Sequence, residues 1–530
     1  MGESATTTAV EKIADDMFKT IARNFPIAAA SDEFYYFPQV QIDKGRWQIW
    51  DHFSESAVDG AVADLQAGLS KLDKLDRNTA GLSPVNPDAS IEMSLLRKVT
   101  RTLIEQLTAV RAWQTQPTWH LTIACIGMAE ALESKDPDAG HYRAAGLAGF
   151  LDQAGRALKD VPVLFRNLGL EMTAGTRDYL LVLEPRLPEL KPALLALERF
   201  EEILRRIPLR EGFRLPRQLI ERVITTHLNC GRDTAELESV LDREIREVRG
   251  SIEAIIGEAV TGSGLAAAIS ALPQPRIGSG GLLQLYREEV DRLGRHCLNK
   301  GLVPPALYRS CPVRVLSVPA FLSAIRTASS YSIPPGSPPK GGVFYVINAD
   351  RAAESDKGYQ REFQILAAHE SYPGHHLLDI HRWSLKSPIR QAVEQPVFYE
   401  GWACFAEEIM RETGYFKSTG DRLLMARRRL WRAIRGKVDL GLQTGRMPFR
   451  EAARLLAETG MPAADAMAAA RKYPLNPGYQ VCYTAGIRRF LDLYKTYGQN
   501  DLPRFTRTVL GQGEIDFADL EQVLAEDTRR

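Results

Sequence analysis

The chain has 530 residues, of which 45% are hydrophobic and 25% charged, and its formal net charge at pH 7 is +1. These values are ordinary for a folded globular protein, and they argue against a disordered chain and against a nucleic-acid partner. The N-terminal sequence has no basic stretch followed by an apolar core, and no run approaches the roughly 18 apolar residues of a membrane span. We therefore expect a cytoplasmic protein with no membrane partner.

The apolar residues of the N-terminal half recur with helical spacing, and strand patterns are almost absent from it. Polar connections and a loop rich in aromatic residues around Tyr35–Pro38 separate the periodic segments. The predicted helices span residues 8–27, 56–78, 89–113, 118–132, 141–158, 160–184, 190–206, 214–230 and 234–259. This pattern predicts a mainly α-helical protein.

Residues 261–283 are rich in glycine, serine and proline, which predicts an irregular connection between elements. Helical spacing resumes at 282–299. The connection indicates a boundary between two helical lobes, residues 1–260 and 261–530, with a cleft between them.

Alternating apolar residues predict two short strands, at 311–318 and 342–348, with a proline-rich loop between them. After residue 356 the pattern is helical almost to the end. The predicted fold is therefore large, two-lobed and mainly α, with a small β element near 311–348.

Four of the nine histidines lie within 13 residues: His369, His375, His376 and His381. His-Glu followed shortly by a histidine on a helix is the basic zincin arrangement. In it two imidazoles bind zinc and the adjacent carboxylate, here Glu370, activates water. The cluster therefore predicts a metal site with Glu370 as its general base.

The spacing of these histidines departs from the usual His-Glu-x-x-His, because Pro373 stands where the second histidine belongs. In a straight helix His369 and His376 share a face but lie roughly 10.5 Å apart along the axis, a long span for one ion. Pro373 removes a helix donor and Gly374 relaxes the backbone, so a local bulge could bring His375 into position. His375 and His376 therefore compete for the role of second ligand.

A third ligand is expected from a nearby helix, and the segment 399–408 offers two glutamates on one helix face. We predict that Glu400 binds the metal and that Glu407, seven residues later, orients a ligand histidine. Taken alone, Glu400 would more often be a solvated surface carboxylate, and it is the histidine cluster that favours the ligand role.

The sequence resembles the bacterial proteins grouped as domain-of-unknown-function 885, helical proteins related to zinc peptidases. The resemblance covers roughly residues 310–495, and it depends on several motifs in the right order. These motifs are GGVFYVIN at 341–348, HESYPGHH at 369–376, EGWA at 400–403 and PGYQVCYTAG at 477–486.

The resemblance implies a zincin-like fold of the gluzincin type, in which two histidines and one glutamate bind zinc. It thereby implies one Zn²⁺ per chain, held by His369, His375 and Glu400, although another divalent ion could take its place. The Gly374-His375 pair is similar to the Gly-His of the thimet oligopeptidase and carboxypeptidase Taq zinc helices. That similarity favours His375 over His376.

The resemblance also implies that Tyr483 stabilises the oxyanion of the reaction intermediate, as a tyrosine opposite the metal does in gluzincins. The need is for a phenol donor aimed at developing negative charge, and the alternative is a core tyrosine with a satisfied hydroxyl. Tyr345, Asn348 and Arg488 are weaker candidates for binding substrate.

Together these residues predict a zinc-dependent, metallopeptidase-like hydrolase that cleaves the amide bonds of short peptides or small amides. One alternative keeps the metal and makes the protein an amidohydrolase, cyclase or lyase in a small-molecule biosynthetic pathway. A second alternative is a non-catalytic helical binding protein with a relic metal site. The sequence leaves the oligomeric state open.

Overall fold

The computed structural model describes residues 3–42, 46–79, 87–257, 261–318, 329–347 and 360–529. Over these residues the protein is mainly α-helical, which confirms the predicted fold class. The first set of helices is α1 (Glu3–Asn24), α2 (Glu55–Thr79), α3 (Pro87–Glu105), α4 (Ala112–Thr115), α5 (Pro117–Glu133), α6 (Ala139–Ala157), α7 (Val163–Leu183), α8 (Leu190–Arg206), α9 (Arg217–Arg222), α10 (Thr234–Ile256), α11 (Gly262–Ser270), α12 (Gly281–Asn299) and α13 (Pro305–Ser310).

A second set of helices follows the small β element, and it carries most of the residues discussed below. These helices are α14 (Phe363–Glu370), α15 (His375–Arg382), α16 (Pro388–Ala392), α17 (Pro396–Glu412), α18 (Thr419–Thr444), α19 (Phe449–Ala457), α20 (Ala463–Lys472), α21 (Cys482–Leu493), α22 (Leu502–Gln512) and α23 (Phe517–Arg529).

The amphipathic spacing read from the sequence produces the helices, as α8 illustrates. Its apolar residues recur every three or four positions and are buried on one face, while its charged residues face solvent. The buried members are Leu190, Ala193, Ala196, Leu197, Phe200 and Leu204. The buried apolar side chains of both halves form one continuous core. The predicted lobe boundary near residue 260 stays a prediction.

Two small sheets interrupt the helices. Strand β1 (Val161–Pro162) pairs in parallel with β2 (Leu209–Arg210). In the second sheet β5 (Gly342–Val346) lies in the centre, parallel to β3 (Val313–Ser317) and antiparallel to β4 (Ser330–Ser332). Both faces of β5 are buried, so its apolar run reads as a central strand.

The predicted strand at 311–318 is confirmed as β3, and the one at 342–348 as β5, although its last residue lies outside the described ranges. Strand β4 was not predicted, because Ser-Tyr-Ser is too short to show an alternating pattern.

The irregular connection predicted over 261–283 is only partly correct, because helix α11 occupies its first part. The Thr261 side chain accepts a hydrogen bond from the backbone N–H of Gly264, and Leu265 and Ile269 are buried. A capped N-terminus and two buried apolar residues therefore offset the poor helix propensity of its glycines.

Among the helices of the described ranges, none combines the length and the apolarity needed to cross a bilayer.

Candidate metal centre

The two ends of the histidine motif lie on separate helices, α14 and α15. Helix α14 ends at Glu370 and the chain folds back, so that the backbone N–H of Gly374 donates to the Ala368 carbonyl at 3.0 Å. A Cβ atom on Gly374 would lie 1.8 Å from the His369 carbonyl oxygen, so only glycine permits this approach. The break brings the rings of His369 and His375 to a centroid distance of 4.8 Å. It is a complete helix interruption, larger than the predicted bulge.

A second close backbone approach brings Glu400 to this break. A Cβ atom on Gly401 of α17 would lie 2.5 Å from the Cα of Gly486 in α21, so the two helices cross in backbone contact. On the other side of the crossing, the Trp402 indole donates to the Pro373 carbonyl at 2.9 Å. The two glycines and Trp402 therefore join α17 both to α21 and to the turn between the histidines.

His369, His375 and Glu400 form a possible metal-binding triad. One ligand atom from each lies within 4.8 Å of the others, and all three residues are buried. Glu400 Oε2 is 3.6 Å from His369 Nε2 and 3.5 Å from His375 Nε2. Within the described part of the chain this oxygen has no hydrogen-bond partner, a state that costs about 1–3 kcal/mol or more when a polar group is buried. Two imidazoles and one carboxylate are a donor set that zinc prefers.

Electrostatics separate the two glutamates at the triad. Burial opposes the ionised form of Glu400, but contacts with His369 and His375 outweigh it and hold its pKa well below the ordinary value. In Glu370 burial dominates and raises the pKa. Glu400 therefore stays ionised, as a metal ligand must, whereas Glu370 is better suited to exchanging a proton.

Glu407, the residue expected to orient a ligand histidine, lies beside the His369 ring. Its Oε1 atom is 3.3 Å from His369 Nδ1, and the Arg432 guanidinium binds the carboxylate at 2.6 and 2.9 Å. Burial opposes ionisation of Glu407, but Arg432 and Arg428 outweigh it and lower its pKa. His369 Nδ1 meets both this carboxylate and the Arg432 guanidinium, the latter at 3.2 Å, so the pair holds the imidazole in place with its Nε2 toward Glu400.

His375 is held differently. Its ring stacks on Tyr399 at a centroid distance of 4.0 Å and an angle of 22°. The Tyr399 hydroxyl donates to Asp379 at 3.2 Å, and Asp379 pairs with Arg382. In the described residues His375 Nδ1 has no hydrogen-bond partner. Stacking, rather than a carboxylate, therefore orients this imidazole.

His376, the predicted competitor, faces away from the triad. Its Nδ1 is 2.9 Å from the Tyr331 hydroxyl, and its Nε2 is 3.0 Å from the Cys311 carbonyl and 3.1 Å from the Tyr372 hydroxyl. Burial lowers its pKa to about 3, so it is neutral. Both ring nitrogens are occupied, and the structure brings His375 to the triad in its place.

Two tyrosines face Glu400, Tyr479 from the 3-10 turn Tyr479–Val481 and Tyr483 from the start of α21. The Tyr479 hydroxyl donates to Glu400 Oε1 at 2.7 Å, a contact that the sequence reading missed. Tyr483, one turn later, lines the same cavity, and the Arg435 guanidinium lies over its ring at 4.7 Å. Burial raises the pKa of Tyr483, so its hydroxyl keeps its proton and can donate. The spacing of four residues between the tyrosines was the available signal.

Two of the three weaker substrate-binding candidates, Tyr345 and Arg488, are not brought to the site. Tyr345 lies on β5, outside the cavity lining, and its hydroxyl donates to Glu133 at 3.5 Å. Arg488 lies on the far side of α21, where it pairs with Glu244 and Glu247. Asn348 lies outside the described residues.

The triad opens into a cavity of about 190 Å³. Its described lining is polar and rich in acidic and aromatic side chains. The lining residues are Asp32, Glu33, Ser329, Ser330, Tyr331, His369, Glu370, His375, Glu394, Tyr399, Glu400, Tyr479 and Tyr483.

The N-terminal segment closes one side of this cavity. Asp32 and Glu33 lie in a single 3-10 turn, and the Tyr35 ring packs on Tyr479 at a centroid distance of 4.9 Å. The aromatic loop that separates α1 from α2 therefore reaches the candidate metal centre, across more than 400 residues of sequence. Its sequence gave no sign of this contact.

Comparison with known proteins gives one family and a shared fold. The model of a family described as "Bacterial protein of unknown function (DUF885)" matches residues 38–524. No curated protein matches the chain.

Two solved structures resemble the protein over nearly all of both chains. One, from Shewanella oneidensis, is described provisionally as a lipoprotein of unknown function, with 17% identity and a TM-score of 0.72, covering 99% of this chain and 100% of its own. The other, from Colwellia psychrerythraea, is described provisionally as a lipoprotein, with 15% identity and a TM-score of 0.79, covering 99% of each chain. At such identities the likeness shows the fold alone.

A carboxypeptidase from Pyrococcus furiosus matches at 11% identity over 98% of this chain and 99% of its own. Its TM-score of 0.40 is too low to indicate a shared fold.

Proposed function

The chain belongs to the bacterial family of unknown function DUF885, and from its metal centre we propose that it is a zinc-dependent hydrolase of peptide or amide bonds. The observation that carries the proposal is the convergence of His369, His375 and Glu400, with Glu400 Oε2 buried and without a hydrogen-bond partner in the described residues. Glu370, the residue after a ligand histidine, lines the same cavity.

The donor set fits zinc, and a zinc ion there would supply Lewis acidity to activate water and polarise a carbonyl. Glu370 accepts a proton from the attacking water and returns it to the nitrogen of the leaving amine. Tyr483 keeps its phenol proton and donates a hydrogen bond to the substrate oxygen as that oxygen gains negative charge. Tyr479 and Glu407 hold Glu400 and His369 in position.

Short substrates follow from the size of the cavity. Its volume of about 190 Å³ lies below the roughly 300–1,000 Å³ typical of sites for drug-sized ligands. We therefore propose short peptides or small amides as substrates, and we retain a small-molecule amide of a biosynthetic pathway as the alternative. The cytoplasmic location also stays a proposal, which cell fractionation would test against an envelope location.

Removal and restoration of the metal tests this function. Protein treated with a chelator should lose at least 90% of its activity on a panel of short peptides and amides, and about one equivalent of zinc should restore it. The same panel with mock-treated protein controls for damage by handling. Activity that survives complete removal of the metal would overturn the proposal.

A further inference from the structure

One face of helix α18 holds the short segment that leads into α21. Trp431, Arg435 and Asp439 are spaced four residues apart, so their side chains lie in a row on this face. Two of them hold Gln480, because the Arg435 guanidinium donates to its side-chain oxygen and Asp439 accepts from its backbone N–H at 3.1 Å. A Cβ atom on Gly436 would lie 3.2 Å from the Gln480 carbonyl oxygen. The segment is therefore fixed to α18 just before it enters α21.

The Arg435 guanidinium lies against two aromatic rings. Its Cζ atom is 4.2 Å from the centroid of the Trp431 ring, one turn earlier on α18, and 4.7 Å from the centroid of the Tyr483 ring. The negative face of an aromatic ring attracts a cation, and the planar guanidinium can stack on a ring while it donates hydrogen bonds. The Tyr483 ring is therefore held by a group that Trp431 and Gln480 fix in place.

The positive charge of Arg435 is not neutralised by an adjacent carboxylate. Two other arginines of α18, Arg429 and Arg432, pair with Glu244 and Glu407. Arg435 forms no ion pair with the residues that the structure describes, and its buried Nε atom has no hydrogen-bond partner among them. A partly buried charge without a counterion is unfavourable for folding, which indicates a role other than stability.

Arg435 can act on a bound substrate through Tyr483. Tyr483 lines the cavity, and Arg435 is not among its described lining residues. A cation on the face of a phenol ring draws electron density from the ring and its oxygen, which makes the hydroxyl a stronger hydrogen-bond donor. A donor that is fixed before the reaction stabilises developing negative charge without having to reorganise.

We propose that Arg435 is the positioning residue of the oxyanion donor: it fixes the Tyr483 ring and directs an uncompensated positive charge at its phenol. This inference rests on the proposed function and adds a residue to the proposed reaction. Arg432 also faces the Tyr483 ring, at 6.0 Å, but its charge is paired with Glu407. Arg435 is therefore the cation that strengthens the donor.

Kinetics of Arg435→Met test the inference on the zinc-loaded full chain, with the peptide or amide that wild type cleaves fastest. The substitution keeps an apolar side chain beside Trp431 and removes the charge. We expect kcat to fall about 3- to 30-fold, the range of cation–π energies, with KM and zinc content near wild type. Arg422→Met, the same substitution at an exposed position of α18, should leave kcat unchanged. An unchanged kcat in Arg435→Met, or a loss explained by lost zinc, would overturn the inference.

A double-mutant cycle shows whether Arg435 acts through the Tyr483 hydroxyl. In the Tyr483→Phe background that hydroxyl is absent, so Arg435→Met should change kcat by less than about twofold. An equal loss of kcat in both backgrounds would mean that Arg435 has a general structural role, and the inference would be wrong.

Gln480→Glu keeps the inference testable if Arg435→Met does not fold. This variant retains Arg435 and gives its guanidinium a carboxylate partner of the same shape, which neutralises the charge. We expect kcat to fall at least about threefold while zinc affinity stays near wild type. A purely structural role of Arg435 predicts an unchanged kcat, and that result would refute the role of its charge.

A spectroscopic test separates this inference from the proposed function, because it needs neither zinc nor turnover. With 3-fluorotyrosine at position 483 alone, we expect one narrow fluorine resonance in metal-free protein and in Arg422→Met. In Arg435→Met the resonance should shift and broaden, because the ring loses both the charge and the group that holds it. If no peptide or amide is cleaved, the proposed function fails and this resonance still decides the placement of Tyr483. An unchanged resonance in Arg435→Met would overturn the inference.

Discussion

Two groups of buried carboxylates each contribute one residue to the lining of the cavity, Glu400 and Glu394, and their surroundings shift their pKa values in opposite directions. Glu400 and Glu407, called the metal-side pair below, have lowered pKa values because imidazoles or guanidinium groups outweigh the effect of burial. Glu394 and Glu514, called the Arg382 pair below, have raised pKa values because burial and neighbouring carboxylates outweigh their one cation.

The difference shows that the number of cations near each carboxylate, rather than its burial, decides whether the metal-side pair and the Arg382 pair are ionised. Glu407 contacts two arginines, Arg432 and Arg428, whereas the Arg382 pair shares a single arginine with Asp379. The metal-side pair is therefore ionised before any ligand arrives. The Arg382 pair holds a proton until a cation approaches.

The largest effect should come from Glu370, which faces the same two histidines as Glu400 but keeps a raised pKa because burial dominates. We expect Glu370→Gln to lower kcat by about 10²- to 10⁴-fold, the usual contribution of a general base, while the bound metal is retained. Steady-state kinetics and metal analysis on the same preparation check this. The exposed carboxylate variant Glu198→Gln serves as control, and a kcat near wild type for Glu370→Gln would refute the role of Glu370.

The next largest effects should come from the two tyrosines at Glu400, which we expect to have different roles. Tyr483→Phe removes a donor to the substrate oxygen and should lower kcat by about 10²- to 10³-fold with little change in zinc affinity. Tyr479→Phe removes the hydrogen bond to Glu400 and should weaken zinc binding instead. Equal changes of kcat and of zinc affinity in both variants would mean that the two hydroxyls do not have distinct roles.

Zinc affinity should distinguish the two carboxylate pairs directly. Glu407→Gln loses the ionised group at His369 Nδ1, and we expect zinc affinity to fall about 10- to 100-fold. Glu514→Gln makes the same chemical substitution in the Arg382 pair, and zinc affinity should stay within about twofold of wild type. Competition with a fluorescent chelator measures both. Similar losses of zinc affinity in the two variants would contradict the distinction between the metal-side pair and the Arg382 pair.

The smallest effect should appear in the pH dependence of stability. A lowered pKa in the folded state stabilises the protein above the unfolded value of about 4.3, and this contribution is lost as pH falls. The raised pKa of Glu514, about 8, does the opposite, and its contribution is lost as pH rises from about 4 towards 8.

Metal-free protein should therefore show two separable slopes. Glu407→Gln should flatten the loss of the free energy of unfolding below about pH 4, and Glu514→Gln should flatten the decline between about pH 5 and 8. Urea denaturation at half-unit pH steps measures both slopes. A variant that flattens the wrong limb would contradict the assigned direction of its pKa shift.

The sequence predicted the mainly helical fold, because the spacing of apolar residues is local and records the buried face of each helix. It also named the three residues that the structure brings together, since His369, His375 and Glu400 stand in short motifs. Their glycines, Gly374 and Gly401, allow the close backbone approaches. Each of these motifs is only a few residues long, so the sequence alone is enough to recognise it.

The rest of the site depends on contacts between distant segments, which leave no local pattern. Asp32 and Glu33 reach the cavity through the packing of Tyr35 on Tyr479. The contact of Tyr479 with Glu400 could not be predicted, because it depends on the crossing of α17 and α21, which places the Tyr479 hydroxyl at Glu400. Arg488, a weaker substrate-binding candidate in the sequence, lies on a face of the helix that points toward Glu244.

The metal content of wild-type protein beside Glu400→Gln tests the central claim most directly. The substitution keeps the shape of the side chain and removes the charge that faces both imidazoles, and Glu198→Gln serves as the matched control. After dialysis against zinc, wild type and control should hold about one ion per chain, and Glu400→Gln should hold almost none. Wild-type protein without zinc, or undiminished zinc in Glu400→Gln, would contradict the claim that these three residues form a metal site.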